Sequence, residues 1–164
     1  MKNSIKILDC TLRDGGYVNN WDFGESTIRS IINKLIEANI DIIECGFLSQ
    51  KKITTFDSSS SIFNSLTAIN KIVEPLPKKE GFACMINYGE FPIGEIPKYT
   101  GRGVKILRVA FHKQNLKDAL RYCKQIKEKG YDVFVQPMIT SSYNEQELNI
   151  LIHTINTFVP KAVY

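Results

Sequence analysis

The stretch Leu8-Asp9-Cys10-Thr11-Leu12-Arg13-Asp14-Gly15-Gly16 decides how the rest of the chain is read. It closes an apolar run over residues 5–10 that has the length and character of a strand. A cation beside a carboxylate follows at once, at a pair of glycines that reads as a tight turn. Parallel α/β folds place their chemistry just beyond the carboxyl ends of strands, so this junction raises the question whether later strands end the same way.

They do. Strand-like runs over residues 41–47, 82–87, 105–111 and 131–138 are continuously apolar, as suits strands covered on both faces in a parallel sheet. Between them lie helical patterns. Residues 25–39 carry Ile28, Ile31, Ile32, Leu35 and Ile36 at helical spacing, and residues 116–129 carry Leu116, Leu120, Cys123 and Ile126, with Gly130 as the stop. The serines at 58–61 read as the entry to a helix over 62–72, hence as caps and not nucleophiles, and no Gly-x-Ser-x-Gly is present. A further helix spans 145–158, and 161–164 opens a sixth strand.

No repeat, linker or break in composition divides residues 1–164, so one domain is expected. Its class is α/β, with about five βα units plus the start of a sixth strand, which allows an incomplete parallel (β/α) barrel; a whole barrel takes roughly 250 residues. An open doubly wound sheet is the competing architecture at this length. Stopping short of a closed barrel would leave strand edges exposed, which predicts aggregation or dimerisation of the isolated chain.

With 164 residues, 43% hydrophobic and 23% charged, the chain can bury a core of its own, and disorder or coiled coil is excluded. The net charge of +4 is spread over positions such as Lys113, Lys117, Arg121, Lys124 and Lys127 on one helix, which reads as a solvated face. No basic run is interleaved with aromatics, so nucleic acid is not an expected partner, while an anionic small substrate is allowed. No run approaches the roughly 18 apolar residues of a membrane span, and Met1 to Ser4 lead straight into the first strand, so a cytoplasmic protein is expected. Cys10, Cys45, Cys84 and Cys123 are far apart and predict reduced, mostly buried thiols.

The candidate site residues sit at the strand ends: Arg13 and Asp14 after the first, Glu44 late in the second, Asn87, His112 and Gln136 at the third, fourth and fifth. Asp14 suits a metal and Arg13 an oxyanion, although an Arg-Asp surface pair is the plainer alternative. Glu44 lies within an apolar strand and needs a partner, with Arg13 the candidate. That pair is either a salt bridge alone or one that also aims the guanidinium. His112 is a base, a ligand or a hydrogen-bonded structural residue. His153 reads as structural or exposed.

Asp9-Cys10-Thr11-Leu12-Arg13-Asp14-Gly15 resembles the start of the HMG-CoA lyase-like superfamily, metallolyases with an Asp-Arg-Glu signature on a TIM barrel. The similarity continues through Ile43-Glu44-Cys45-Gly46, and Leu107-Arg108-Val109-Ala110-Phe111-His112 looks like the fourth strand of the 4-hydroxy-2-oxovalerate aldolase branch. The resemblance implies an aldolase-type lyase acting on a 2-oxo acid through a pyruvate-type enolate, with a divalent ion, manganese or magnesium. It implies Asp14 as metal ligand, Arg13 as the enolate-stabilising residue and Glu44 as the carboxylate orienting it. Arg13, His112 and Asn87 would meet substrate, and a homo-oligomer or a dehydrogenase partner is possible in that branch.

Two departures stand out. The branch has a basic histidine two residues beyond the motif glycine, where this chain has Tyr17, a weaker base at neutral pH. The family also completes its metal site with a His-x-His pair on the seventh strand, which this chain does not contain. Asp14 by itself would hold a hard divalent ion weakly. An amino-terminal piece of a longer enzyme is therefore expected, ahead of strands supplied by another chain or a relative that no longer catalyses. A Claisen-type acyl-CoA condensing enzyme of the same superfamily and a non-catalytic half-barrel interaction domain are the alternatives.

Overall fold

The apolar runs assemble into one all-parallel sheet. The structure, a computed structural model, describes residues 5–52, 55, 57–77 and 81–164. Residues 1–4, on which the reading of the amino terminus partly rests, lie outside the described residues. In chain order the elements are β1 (Leu8–Asp9), α1 (Thr11–Asp14), α2 (Gly16–Asn19), α3 (Glu25–Glu37), β2 (Ile42–Leu48), β3 (Ile62–Phe63), α4 (Leu66–Val73), β4 (Phe82–Asn87), β5 (Ile106–Phe111), α5 (Leu116–Glu128), β6 (Asp132–Pro137), α6 (Glu145–Phe158) and β7 (Ala162–Val163).

The strand order is β1-β2-β4-β5-β6-β7, with β3 pairing off β2, and each pairing is parallel. Doubly wound sheets reverse their order at a switch point, and this one does not. The six successive strands form a curled, incomplete barrel of TIM type with helices between them. Capping fixes where the last long helix starts: the Asn144 side chain accepts from the Glu147 backbone N–H at 2.9 Å, and Glu147 reciprocates to the Asn144 N–H at 2.8 Å.

Helices and sheet bury one large apolar layer between them, containing Ile28, Ile32, Leu120, Cys123 and Ile126 from the helices and Ile43, Cys84, Leu107 and Val133 from the strands. The concave face of the sheet carries two smaller clusters. Ile42, Ala83, Ile106 and Phe134 form a floor, and Phe47, Ile62, Met85 and Ala110 form an upper ring nearer the carboxyl ends. Glu44, Arg108 and Gln136 lie between them in the strands, which leaves the middle level polar.

Three local expectations are corrected. The first strand, expected over 5–10, is paired only over Leu8–Asp9, and Ile5 and Ile7 are exposed. The helix expected over 62–72 begins later: Ile62 and Phe63 are a strand beside β2, and α4 is capped by Ser65, whose hydroxyl accepts from the Ala68 N–H at 3.2 Å. Short apolar runs cannot be assigned to helix or strand by periodicity alone. Ser60 and Ser61 are therefore not its caps; the Ser61 hydroxyl donates to the Leu12 carbonyl at 2.7 Å. Gly46 makes the β3 pairing possible, since its φ is +147° and a Cβ there would lie 1.9 Å from the Ser61 carbonyl oxygen.

The third correction concerns Gly15 and Gly16. No tight glycine turn forms there, because Gly15 has an ordinary helical φ of −61° and joins α1 to α2. The chain reverses instead at Asn20 and Trp21, both left-handed with φ of 56° and 59°. Gly16 is small because the Trp21 ring lies where its side chain would be.

Candidate active site

The site begins with how α1 is held. Asp9 accepts from the Thr11 N–H and the Thr11 hydroxyl, each at 3.0 Å, and so starts the helical turn directly after β1. Ser61 binds the Leu12 carbonyl, and the Trp21 indole N–H donates to the Arg13 carbonyl at 2.7 Å. The Arg13 backbone is thus fastened from both sides, and its side chain can be aimed.

Arg13 Nε donates to Glu44 Oε2 at 2.8 Å, and Nη1 donates to Asp14 Oδ1 at 2.8 Å. Glu44 is fully buried, and Arg108 Nη1 reaches its Oε1 at 3.2 Å and its Oε2 at 3.4 Å. Arg108 is held in turn by its Nε donating to Gln136 Oε1 at 2.6 Å, with its guanidinium 4.8 Å from the Tyr164 ring centroid. One buried guanidinium and one partly buried one therefore share one buried carboxylate. An unpaired charge at this depth would cost several kcal/mol, about 3–5 for a broken pair, so the three groups depend on one another.

Burial works against the Arg13 charge, but the hydrogen bond and charge of Glu44, with Asp14, outweigh it and hold the guanidinium protonated above its ordinary range. Cys10, beside this network, is pushed up first by burial and then by Glu44 and Asp14, with Arg13 opposing. It is a poor nucleophile in this setting.

Above the network opens a cavity of about 400 Å³ at the carboxyl ends of the strands. Arg13, Asp14 and Tyr17 line it from the β1 side, and Asn87, Glu90, His112 and Gln136 from β4, β5 and β6. A larger hollow of about 720 Å³ lies between the end of α4 and residues 99–105, at the opposite end of the sheet. Size favours that hollow; the buried ionic network and the convergence of strand ends favour the smaller cavity as the candidate site.

The chain is similar to aldolases. It is 25% identical over 160 residues to the 4-hydroxy-2-oxovalerate aldolase of Bacillus cereus, covering 98% of this chain and 47% of that protein. It is 24% identical over 112 residues to 4-hydroxy-2-oxovalerate aldolase 6 of Rhodococcus jostii, covering 68% and 31%. The crystal structure of the N-terminal domain of a provisionally named aldolase from Bacteroides vulgatus superposes with a TM-score of 0.63 at 24% identity, covering 94% of this chain and 52% of that one. No protein-family model matches. The sequence likeness supports kinship with aldolases, and the structural one supports the fold. The chain spans about half the length of the curated relatives it matches.

Arg13 and Glu44, expected as partners, are in contact, and Asp14 joins Arg13 at the exposed rim. Tyr17 is also at the rim, 64% exposed, its ring edge-on to Trp21 at 4.7 Å. His112 is exposed and lines the cavity, and its ring has no hydrogen bond among the described residues. Asn87 Nδ2 donates to Glu90 Oε1 at 3.2 Å. His153 is exposed on α6, away from the cavity.

Arg108 and Glu90 were not singled out from the sequence. Arg108 had a signal, a lone cation inside the otherwise apolar Ile106–Phe111, which needs a buried anion just as Glu44 needs a cation. Glu90 had none, since a glutamate after Gly89 reads as an ordinary loop residue.

Among the described residues, no group of three or more His, Cys, Asp or Glu side chains is arranged to hold a metal ion. Asp14 offers a carboxylate already shared with Arg13. The residues present therefore do not amount to a divalent-metal site. Among them, too, no helix is long and apolar enough to cross a membrane.

Proposed function

We propose that this chain carries the enolate-stabilising part of an aldolase-type lyase that acts on a 2-oxo acid. The observation that supports it is the fixing of Arg13 by a fully buried Glu44 at the floor of a cavity formed by strand ends. In such a cleavage of a 4-hydroxy-2-oxo acid the C4 hydroxyl gives up its proton and becomes the aldehyde carbonyl, the C3–C4 bond breaks, its electron pair forms the C2–C3 double bond, and the carbonyl π pair moves onto the 2-oxo oxygen. The products are an enolate and an aldehyde. A guanidinium already in place meets that developing charge without reorganising, which is where electrostatic catalysis is strongest.

Arg13 suits this role because Nε and Nη1 are occupied by carboxylates, while Nη2 has no partner among the described residues and is the donor left for an oxyanion. Arg108 and Gln136 keep Glu44 from turning away. Tyr17 lines the same cavity at its rim and, on this reading, would take up or pass on the proton of the C4 hydroxyl. A divalent ion remains part of this reading only as a requirement on the whole protein. Asp14 would supply one ligand, and the others are not among the described residues.

The test is exchange of pyruvate methyl protons in deuterated buffer with manganese, followed by NMR on the full-length protein. Exchange without any CoA ester, and its loss in Arg13→Lys, is the expected result. Exchange that requires an acyl-CoA would favour Claisen chemistry, and no exchange at all would overturn the enolate reading. A non-catalytic half-barrel is favoured by one observation, the exposure of Ile5, Ile7, Val163 and Tyr164 at the two ends of the sheet. Under that alternative Asp14→Ala would leave partner binding unchanged and there would be no exchange to lose.

A further inference from the structure

The turn after β4 is built to hold a carboxylate that nothing in the protein uses fully. The Glu90 N–H donates to the Asn87 carbonyl at 2.9 Å, closing the turn around Gly89, whose φ is +86°. The Glu90 carbonyl accepts from the Gln50 N–H at 2.9 Å, and the Tyr88 N–H donates to the Ala110 carbonyl at 2.8 Å, so the turn is fastened to β5 on one side and to the segment after β2 on the other. On the Glu90 side chain, Oε1 takes the Asn87 amide. Oε2 is buried and has no hydrogen-bond partner among the described residues.

A buried carboxylate oxygen without a donor has given up its hydration with no hydrogen bond in return, and such groups in native structures call for an explanation. Glu90 lines the same cavity as Arg13 and Asp14. The last torsion of a glutamate is broad, so a turn of the carboxylate can keep one oxygen on Asn87 and offer the other to a ligand. The cavity wall then carries two unlike groups from different elements, a guanidinium at Arg13 after β1 and an acceptor at Glu90 after β4.

We propose that Glu90 sets the substrate class of this site: a 2-oxo acid whose far end, the aldehyde fragment, carries a hydrogen-bond donor such as a hydroxyl or an ammonium group. The inference rests on the aldolase reading for the chemistry of the near end. A plain alkyl fragment would leave Glu90 Oε2 buried and unpaired, and sites built to hydrogen-bond a substrate group discriminate strongly against analogues that lack it.

The experiment uses non-reacting isosteres, so that it does not depend on turnover. Binding of 5-hydroxypentanoate and hexanoate to the full-length protein is measured by ligand-observed NMR, with 5-aminopentanoate in parallel to tell a hydroxyl from an ammonium donor. The wild type is expected to bind at least one donor-bearing acid about tenfold more tightly than hexanoate, as a charge-assisted hydrogen bond allows. Glu90→Leu should abolish that preference, and Glu90→Gln, which keeps the shape, should weaken it. Equal binding of all three acids, binding of none, or a preference that survives Glu90→Leu would overturn the assignment. Aldol turnover with glycolaldehyde against propanal separates the two readings: turnover without preference counts against Glu90 alone, and preferential binding without any turnover counts against the aldolase alone.

Discussion

The floor and the middle of the sheet's concave face are built from the same strands, two residues apart, and they are opposites. Ile42, Ile106 and Phe134 make the apolar floor; Glu44, Arg108 and Gln136, one inward position further along β2, β5 and β6, make an ionic level. The floor stabilises by excluding water and tolerates any filling of the right volume. The ionic level is tolerated only as a complete set, with no net gain in stability expected from it, and on the proposed reading its order serves Arg13. Along the strand direction the interior thus passes from an apolar part that holds the fold to an ionic part that, on the proposed reading, positions chemistry.

The sharpest way to break the comparison is Glu44→Ala. Removing the shared carboxylate strands two guanidiniums in the interior, and a loss of about 3–5 kcal/mol in urea unfolding is expected. Ile106→Ala in the floor should cost a comparable amount, about 2–5 kcal/mol, through a cavity. The two levels differ in repair. The triple replacement Arg13→Met, Glu44→Leu, Arg108→Met should restore stability to near that of the wild type while abolishing pyruvate exchange. If the triple variant is as unstable as Glu44→Ala, the ionic level is a stabilising element and the division fails.

The same contrast explains what could be read from sequence. The floor and the outer layer were legible because continuous apolar runs define strands such as Phe82–Asn87, and regular apolar spacing with caps defines Glu145–Phe158. The ionic level was legible only in part. Arg13 and Glu44 could be paired because each follows or sits in a recognisable strand, but Arg108 meets Glu44 only once β4 is placed between β2 and β5 and the sheet curls. Ile62 and Phe63 were misassigned because their strand character comes from Gly46 letting them lie against β2, a relation between distant residues.

On the outer face of the sheet, the thiols sharpen the comparison by titration. Burial pushes Cys123 up to about 12 and raises Cys45 and Cys84 as well, so the folded chain holds these protons more tightly than the unfolded one. Their contribution is complete below the ordinary thiol range and is lost as pH rises through and beyond it, at about 1.4 kcal/mol per pH unit for each group. The urea midpoint should fall between about pH 9 and 10.5, with a shallower fall in Cys123→Ala. An unchanged midpoint would mean the apolar layer admits water.

Smaller effects are expected where the two levels are tied to the loops. The Ser61 hydroxyl donates to the Leu12 carbonyl in the turn that carries Arg13. Ser61→Ala should cost about 1 kcal/mol in stability. If Arg13 depends on that fastening, the exchange rate should fall by more than the stability change accounts for, which a rate measured at full occupancy of the folded state will show.

The smallest expected change in stability comes with one of the largest in chemistry, at Asp14. Its carboxylate is 59% exposed and its ion pair with Arg13 lies at the rim, where such pairs contribute about 0–1 kcal/mol. Asp14→Asn keeps the shape and a hydrogen-bond acceptor, so the urea midpoint should move by less than about 0.5 kcal/mol. If Asp14 is one corner of a divalent site completed by the rest of the protein, the same substitution should abolish manganese-dependent exchange and raise the manganese concentration needed for whatever activity remains. A variant that keeps both would show that the carboxylate only steadies Arg13, and the enolate chemistry would then rest on the buried ionic level alone. Stability measured beside exchange is what distinguishes these outcomes, because an exposed carboxylate on α1 contributes little to the fold whatever it does for the chemistry.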